Sequence, residues 1–245
     1  MKKTLVALSV LAAMAGAMPA YAQSTPEHSF AFNLGAVSDY RYRGISQSRF
    51  QPALQGGVDY GHSSGLYAGL WASTIKWIKD ADGDADVEVD LYAGYKGSLT
   101  GDFGYDVGVL RYQYPGHRLD VSPNTTEIYG AVSYGPATLK YSHSVTNLFG
   151  WEDSKNSNYI DLSATFDVAG FAVTPHIGYQ KVRGNSDASY TDYSVTVSKD
   201  IAGFLVSAAI VGTDTKKPDG EYAYPSPSGK NLGRTALVVG VKYNF

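Results

Sequence analysis

The sequence lacks cysteine, an excess of basic residues and, beyond its first two dozen residues, any long apolar run. Without cysteine, a disulfide scaffold, a cysteine-ligated metal site and a thiol nucleophile are all excluded. Lys and Arg number 20 against 23 Asp and Glu, so no basic excess favours nucleic acid as a partner. With 44% apolar and only 18% charged residues among 245, the chain is predicted to fold as one large domain and not to be disordered.

Residues 1–22 are typical of a cleaved secretory signal peptide. Two lysines stand near the start, residues 4–17 form a short apolar run, and residues 20–22 (Ala-Tyr-Ala) fit a small-x-small cleavage site. An uncleaved membrane anchor would need about twenty apolar residues, and this run is shorter. We therefore expect residues 23–245 to form a single domain that is exported to the bacterial envelope.

The exported part of the chain alternates between apolar and polar positions. In residues 30–41 the even positions, from Phe30 to Tyr40, are mostly apolar or aromatic, whereas the odd positions include Asn33 and Asp39. A period of two puts successive side chains on opposite faces of a β-strand. The pattern recurs in about twelve segments, an even number, as a single-chain bacterial barrel requires.

The connections between these segments are long and short in turn. Short turns include residues 135–136 (Gly-Pro) and the repeated Asp-(Val/Ile)-Ala-Gly-Phe at 167–171 and 200–204. Outer-membrane barrels have short periplasmic turns and long extracellular loops, whereas a soluble sandwich has no reason to keep this order. The sequence therefore predicts an all-β fold, a closed antiparallel up-and-down transmembrane barrel of about 12 strands in the outer membrane of a Gram-negative bacterium.

The last predicted strand carries a further signal. Phe245 follows Val239, Val241 and Tyr243 on the same strand face. A terminal aromatic residue behind alternating apolar residues resembles the signature recognised by the outer-membrane barrel assembly machinery. We expect Tyr243 and Phe245 to act as this assembly signal, with the machinery, outer-membrane lipid and lipopolysaccharide as partners.

Two stretches of the sequence resemble the TorF-type porin family of proteobacteria. Residues 37–48 (VSDYRYRGISQS), together with 52–57 (PALQGG) and 65–69 (GLYAG), are similar to the opening of that family. Residues 87–95 (VEVDLYAGY) are similar to its next block. The resemblance implies an outer-membrane barrel that acts as a channel.

The polar face of each strand is predicted to line the lumen. In lipid every backbone group must be paired internally, so the sheet closes and turns its apolar face outward. A charge on the lipid side would cost up to about 2–4 kcal/mol at mid-bilayer. The residues that we expect to line the pore and set its selectivity are Asp39, Arg41, Arg43, Asp59, Glu88, Asp90, Lys96, Asp106 and Glu127. The same parity places Lys140, Asp161, Asp192 and Lys242 inside.

Arg41 and Arg43 allow two interpretations. Nearby carboxylates could neutralise both side chains, which would then fill a narrow lumen. Alternatively, the two arginines form a basic strip on the first strand and face an acidic strip in residues 80–90 that includes Glu88 and Asp90. Opposed strips would create a transverse field that orients polar solutes and hinders apolar ones.

Motifs for other chemistry are incomplete. The acidic run that starts at Asp80 lacks the glycine and glutamate that a calcium loop needs at its sixth and twelfth positions. His143 lies between two serines that occupy the opposite strand face, so no nucleophile reaches it. The histidines His62, His117 and His176 stand singly in the sequence. We therefore expect no catalytic residue, no metal site and no cofactor.

Three classes of function remain for such a barrel: a channel for passive diffusion of small hydrophilic solutes, a non-conducting structural or adhesive barrel, and a barrel enzyme. We favour the channel because many inward charges and glycines fit a wet lumen better than a packed one. An internal plug held by salt bridges would favour the structural alternative. The enzyme is the least favoured of the three.

Overall fold

In the computed structural model, residues 26–245 are described, and they form a closed antiparallel β-barrel. The predicted signal peptide lies outside the described residues. The elements, in chain order, are β1 (His28–Val37), β2 (Arg41–Tyr42), β3 (Ile45–Ser46), β4 (Ala53–His62), β5 (Leu66–Thr74), α1 (Trp77–Asp80), β6 (Val87–Ser98), β7 (Phe103–Gln113), β8 (Thr125–Tyr134), β9 (Ala137–Ser144), β10 (Asn158–Ala164), β11 (Phe166–Val168), β12 (Phe171–Lys181), β13 (Tyr190–Ile201), β14 (Phe204–Thr213) and β15 (Ala236–Asn244). Across this part of the chain, no helix has the length and apolar character needed to cross a membrane.

The wall of the barrel is a single ring of neighbouring strands. Each wall strand pairs with the wall strands that precede and follow it in the chain. Strand β1 pairs with both β4 and β15, which closes the ring. Strands β10 and β11 are two parts of one wall strand, because both pair with β12 in the same register. The part of the chain that the structure describes therefore has a wall of twelve strands, which confirms the predicted fold.

The two ends of the barrel differ in their connections, as predicted. Residues 135–136 and 169–170 are examples of the tight turns at one end, which we call the short-turn end. Residues 38–52, 145–157 and 214–235 are the longest connections at the other end, which also carries residues 75–86 and which we call the long-loop end. The long connections carry enough chain to cover or enter the lumen.

The outward face of the wall is apolar. Along β1, Phe30 is 66% exposed and Leu34 is 60% exposed. Large apolar side chains on the other wall strands are exposed in the same alternating way, among them Ile128 on β8 and Leu237 on β15. Soluble proteins rarely expose a continuous apolar surface of this size. The belt is that of a transmembrane barrel.

The first wall strand ends earlier than the alternation predicts. Strand β1 stops at Val37, and the chain then leaves the wall. Strands β2 and β3 pair with each other as a small hairpin, with Arg43 and Gly44 as its two turn residues. Both turn residues have positive φ, 46° and 78°, as in the type I′ turns that close two-residue hairpins. The prediction that Arg41 and Arg43 lie on the first wall strand is therefore wrong.

Hairpin β2–β3 lies inside the barrel. Its Tyr42 ring packs edge to face against Tyr112 of β7 and against Phe149, with centroid distances of 5.4 and 5.5 Å. Tyr40, just before the hairpin, is buried and packs against Trp71 at 5.4 Å. The alternation predicted that Tyr40 faces lipid, and this is also wrong, because the chain bends inward after β1.

The connection that contains α1 fills more of the same half of the lumen. Ile75 and Ile78 are fully buried, and Trp77 packs edge to face against Tyr114 at 5.1 Å. Together with the hairpin, these residues narrow the lumen at the long-loop end. The buried members of this apolar cluster are Tyr40, Ala53, Trp71, Ile75, Ile78, Ala85, Leu110, Tyr112, Tyr114 and Tyr129.

Candidate functional site

Arg43, at the tip of hairpin β2–β3, crosses the lumen to the wall. Its guanidinium donates two hydrogen bonds to the Glu127 carboxylate, Nη1 to Oε1 at 3.0 Å and Nη2 to Oε2 at 2.7 Å. It donates a third to Gln180 Oε1 at 2.5 Å and lies 4.1 Å from the centroid of the Tyr159 ring. Burial opposes the charge, but the Glu127 carboxylate more than offsets this effect and holds the pKa of Arg43 well above its usual value. Arg43 is thus a fixed cation that joins the hairpin to β8, β10 and β12.

Arg41 is held at the base of the hairpin. Its Nε donates to Asp39 Oδ2 at 2.5 Å, and its Nη1 donates to the backbone carbonyls of Leu232 and Arg234 at 3.0 and 3.1 Å. Asp39 also accepts a hydrogen bond from the Ser46 hydroxyl at 2.5 Å. Both arginines are therefore paired with carboxylates, as in the first of the two interpretations of the sequence.

Glu88 and Asp90 lie side by side on the inner face of β6. They are 1% and 0% exposed. The Tyr40 hydroxyl donates to Glu88 Oε1 at 2.9 Å, whereas Glu88 Oε2 and both carboxylate oxygens of Asp90 have no hydrogen-bond partner among residues 26–245. Arg41 and Arg43 do not face these carboxylates as opposed strips, since each pairs elsewhere. The result is an acidic patch, Glu88 and Asp90, behind the hairpin.

Three other carboxylates of the predicted acidic strip, Asp80, Asp84 and Asp86, are paired with cationic side chains. Asp80 forms an ion pair with Arg49, and Asp86 accepts a hydrogen bond from Lys79 Nζ at 3.0 Å. The hydrogen bond from Lys79 lowers the pKa of Asp86 below its usual value. These pairs leave the acidic patch on β6 as the distinct negative feature of this wall.

Tyrosine rings also lie along the inner wall of the barrel. Each ring occupies the space above a glycine of an adjacent strand, where a Cβ would overlap the ring or its hydroxyl. Only glycine leaves this space free. We expected the glycines to widen the lumen, but the rings fill the space that they leave. The pairs are Tyr67 with Gly94, Tyr92 with Gly69, Tyr129 with Gly108 and Tyr159 with Gly178.

The hydroxyls of Tyr67, Tyr92 and Tyr159 bind carboxylates on the wall, and the Tyr129 hydroxyl bonds to that of Tyr67. Tyr67 donates to Asp106 at 2.5 Å, and Tyr92 donates to Asp59 at 2.5 Å. Such bonds hold each ring flat against the strands and prevent it from projecting across the barrel. The wall therefore presents carboxylate and phenol groups in adjacent rows.

Cationic side chains complete this polar lining. Lys140 Nζ lies 4.1 Å from the centroid of the Tyr129 ring, and Lys96 Nζ lies 5.2 Å from that of Tyr67. Attraction between an ammonium group and the face of an aromatic ring contributes about 0.5–2 kcal/mol. Among the nine predicted pore-lining residues, all except Asp90 have a polar or cation–π partner in the part of the chain that the structure describes, whereas their part in lining the pore and in selectivity stays a prediction.

Solved structures with a similar fold are those of a porin. The chain superposes on the KdgM porin with a TM-score of 0.58 at 9% identity, and the alignment covers 88% of this chain and 99% of that one. The KdgM porin in complex with disordered oligogalacturonate gives a TM-score of 0.56 with the same identity and coverage. At this identity the similarity concerns the fold alone. No curated protein matches the sequence.

The sequence also matches a family model. This model, described as a bacterial protein of unknown function (Gcw_chp), matches residues 21–245. It does not carry the TorF-type name, so that resemblance stays a prediction. Since the match covers nearly the whole chain, the protein belongs to the bacterial Gcw_chp family.

Proposed function

We propose that the protein is an outer-membrane channel of porin type that lets small hydrophilic solutes diffuse passively. The observation that carries this proposal is a closed barrel with an apolar outer belt and charged side chains along its inner wall. A barrel stabilised only by internal packing would gain nothing from carboxylates in its interior, because burying charge costs free energy. The rows of tyrosine and carboxylate groups support a wet passage along the wall.

The proposed orientation places the short-turn end in the periplasm and the long-loop end outside the cell. This is the common arrangement of bacterial outer-membrane barrels. Lipid and lipopolysaccharide would then contact the apolar belt, and the barrel assembly machinery would insert the chain. Cell fractionation with protease digestion of the long loops on intact cells tests this orientation.

Hairpin β2–β3 is the proposed constriction. It enters the lumen from the outer side and is fixed by Arg43 to the wall. A solute must pass beside it, while the acidic patch Glu88 and Asp90, buried behind the hairpin, acts on the solute through its electrostatic field and not by contact. Ionised carboxylates attract cations and repel anions. We therefore propose that the channel prefers cationic or neutral solutes over polyanions such as oligogalacturonate, with which the KdgM porin forms a complex.

Conductance of the purified protein in planar bilayers tests the channel, and two glycine variants test the constriction. In Gly44→Ala the new Cβ would overlap Thr213 and lie 2.9 Å from the Asp192 Cβ, so the hairpin tip must move. In Gly116→Ala a Cβ meets nothing within 4 Å. Both positions have positive φ, 78° and 72°, so both pay the same left-handed cost of about 1–2 kcal/mol. Conductance should change only in Gly44→Ala.

A second candidate function is a non-conducting structural barrel. It is favoured by the aromatic cluster and hairpin that fill the long-loop half of the lumen. If the wild-type protein and Gly44→Ala both insert into bilayers without conducting, this candidate replaces the channel. A conducting wild type with an altered Gly44→Ala variant supports the channel and its constriction.

A further inference from the structure

A cluster of three metal-ligating side chains lies at the short-turn end, away from the lumenal groups described above. We propose that Glu27, His28 and His62 bind a divalent transition-metal ion, with zinc as the preferred ion. Each of the three offers one ligand atom, and these atoms all lie within 4.8 Å of one another. The proposal does not depend on conduction by the barrel.

The register of the sheet brings the two histidines together. His28 of β1 is directly opposite His62 of β4, and their ring centroids are 5.2 Å apart. Glu27 precedes β1 and places Oε1 at 3.6 Å from His62 Nε2. Tetrahedral zinc with bonds of about 2.0–2.2 Å spaces its ligand atoms about 3.4 Å apart. The three side chains therefore need only small rotations to close around an ion.

The remaining ring nitrogens have partners that suit metal binding. His28 Nδ1 lies 2.8 Å from the Tyr60 hydroxyl, and His62 Nδ1 lies 2.7 Å from the Ser64 hydroxyl. Histidine ligands usually hydrogen-bond through the second nitrogen, which fixes the ring and its tautomer. Here Nε2 of each ring is left for the metal. His62 Nδ1 also accepts a hydrogen bond from the Ser64 N–H at 3.1 Å. When Nε2 binds the metal, Nδ1 carries the proton, so it donates to the Ser64 hydroxyl and the bond from the Ser64 N–H is lost.

The ligand set indicates which ion fits. Two imidazoles and a carboxylate suit zinc, copper or nickel better than magnesium or calcium, which prefer all-oxygen sites. Three protein ligands leave a fourth position for water. Bound metal would tie the residue before β1 to the end of β4. The site would thus fasten the start of the first wall strand at the mouth of the barrel.

His62 stands alone in the sequence, where its spacing predicts no metal site. His28 is far from His62 in sequence, and only the antiparallel pairing of β1 with β4 makes them neighbours. Alternation predicts which face a residue occupies, but the register between two strands decides which residues are opposite. For this reason the cluster could not be recognised from spacing.

Zinc titration of the untagged, chelator-treated protein in detergent at pH 7.5 tests the proposal. Calorimetry should show one zinc ion per chain, and cobalt should give the intense visible absorption of a tetrahedral site. Loss of a group that only supports a ligand costs about 10–100-fold in affinity, so His28→Asn and His62→Asn should each weaken binding at least tenfold. Glu27→Gln, in a residue that precedes the first strand, should weaken binding without any effect on folding.

His143→Asn is the matched control, because His143 is a partly exposed histidine at the long-loop end with Asn156 as a partner. Its zinc affinity should equal that of the wild type. Absence of stoichiometric zinc binding by the wild type overturns the proposal, and so does equal affinity in His28→Asn and His62→Asn. Conductance is measured separately, so failure of the metal site and failure of the channel are distinguishable.

Discussion

The Arg43 guanidinium and the Glu127 carboxylate form a two-point ion pair across the lumen, with distances of 3.0 and 2.7 Å. One residue is at the tip of hairpin β2–β3, and the other is on wall strand β8. Both side chains are buried, so water weakens the pair little. The position of the hairpin in the lumen therefore depends on this contact.

Arg43→Ala leaves Glu127 charged, buried and without its partner. Breaking a buried pair on one side costs about 3–5 kcal/mol, so we expect the hairpin to lose its fixed position. Single-channel recordings should show a higher mean conductance and more frequent transitions than the wild type.

Two further variants sharpen this test. Arg43→Ala combined with Glu127→Ala removes the orphaned charge and should recover stability while keeping the altered conductance. Arg111→Ala, which removes an arginine bonded to Gln113 and Thr126, should conduct as the wild type does. Identical traces from Arg43→Ala and the wild type would show that the ion pair does not hold a constriction.

Glu88→Gln combined with Asp90→Asn should reduce the proposed cation preference of the channel. A field worth about 1 kcal/mol at this point changes ion partition about fivefold, so the ratio of cation to anion permeability should fall on that order. Reversal potentials across a salt gradient measure the ratio. The effect should shrink at molar salt, where the Debye length is about 3 Å.

The control for this experiment is Asp200→Asn, the same change at an exposed turn where the side chain caps the Gly203 N–H at 3.0 Å. Its permeability ratio should stay at the wild-type value. If Glu88→Gln with Asp90→Asn behaves in the same way, the acidic patch does not act on permeating ions.

The wall of the barrel could be predicted from the sequence, whereas the hairpin inside it could not. Alternation from Phe30 to Leu34 indicates a strand with one apolar face, and similar alternation marks most wall strands, whereas it is weaker in residues 53–60, 66–75 and 204–213. Tyr40 and Tyr42 continue the same alternation, although both lie inside the lumen. A local pattern cannot distinguish a wall strand from an infolded hairpin, because both alternate. The missed signal is Gly44, which suits the positive φ of a tight turn.

The positions of tyrosine and glycine show a second limit of prediction from the sequence. The sequence places Tyr67 and Gly94 on the inner face by parity, but it does not say that they are opposite each other. That relation requires the register of β5 with β6. Once the register is known, the ring has one place to lie, since Gly94 leaves the space for it.

Gly94→Ala should therefore destabilise the folded barrel. The added Cβ would overlap the Tyr67 hydroxyl and lie 2.5 Å from the Val107 carbonyl oxygen, and overpacking of this kind costs about 1–3 kcal/mol. The measurement is the temperature at which the heat-modifiable gel mobility is lost.

Gly130→Ala is the control, because this wall-strand glycine has space for an added Cβ. A Cβ there meets only Val107 Cγ1, at 3.9 Å, so the variant should be neutral or gain up to about 0.5–1 kcal/mol, the usual penalty of glycine in a strand. Equal stability of Gly94→Ala and the wild type would mean that the Tyr67 ring does not need the space above Gly94.

Phe245 joins the last strand to the first. Its N–H donates to the Phe32 carbonyl at 3.0 Å, its carbonyl accepts from the Phe32 N–H at 2.8 Å, and the two rings stack at 6.0 Å. Phe245→Asp keeps these backbone groups and places a charge near the membrane interface. There a charged residue on the lipid face costs only about 0–1 kcal/mol.

We expect Phe245→Asp to refold in detergent almost as well as the wild type but to reach the outer membrane poorly in cells. The folded barrel tolerates the charge, so a large loss in cells must come from recognition during assembly. Phe171→Asp makes the same change at an outward aromatic residue of the short-turn end, 42% exposed, and should reach the membrane normally. Heat-modifiable mobility of membrane fractions measures both variants. Equal levels of the two in the outer membrane would contradict the assembly signal, and failure of Phe245→Asp to refold in detergent would assign the loss to the seam between β1 and β15.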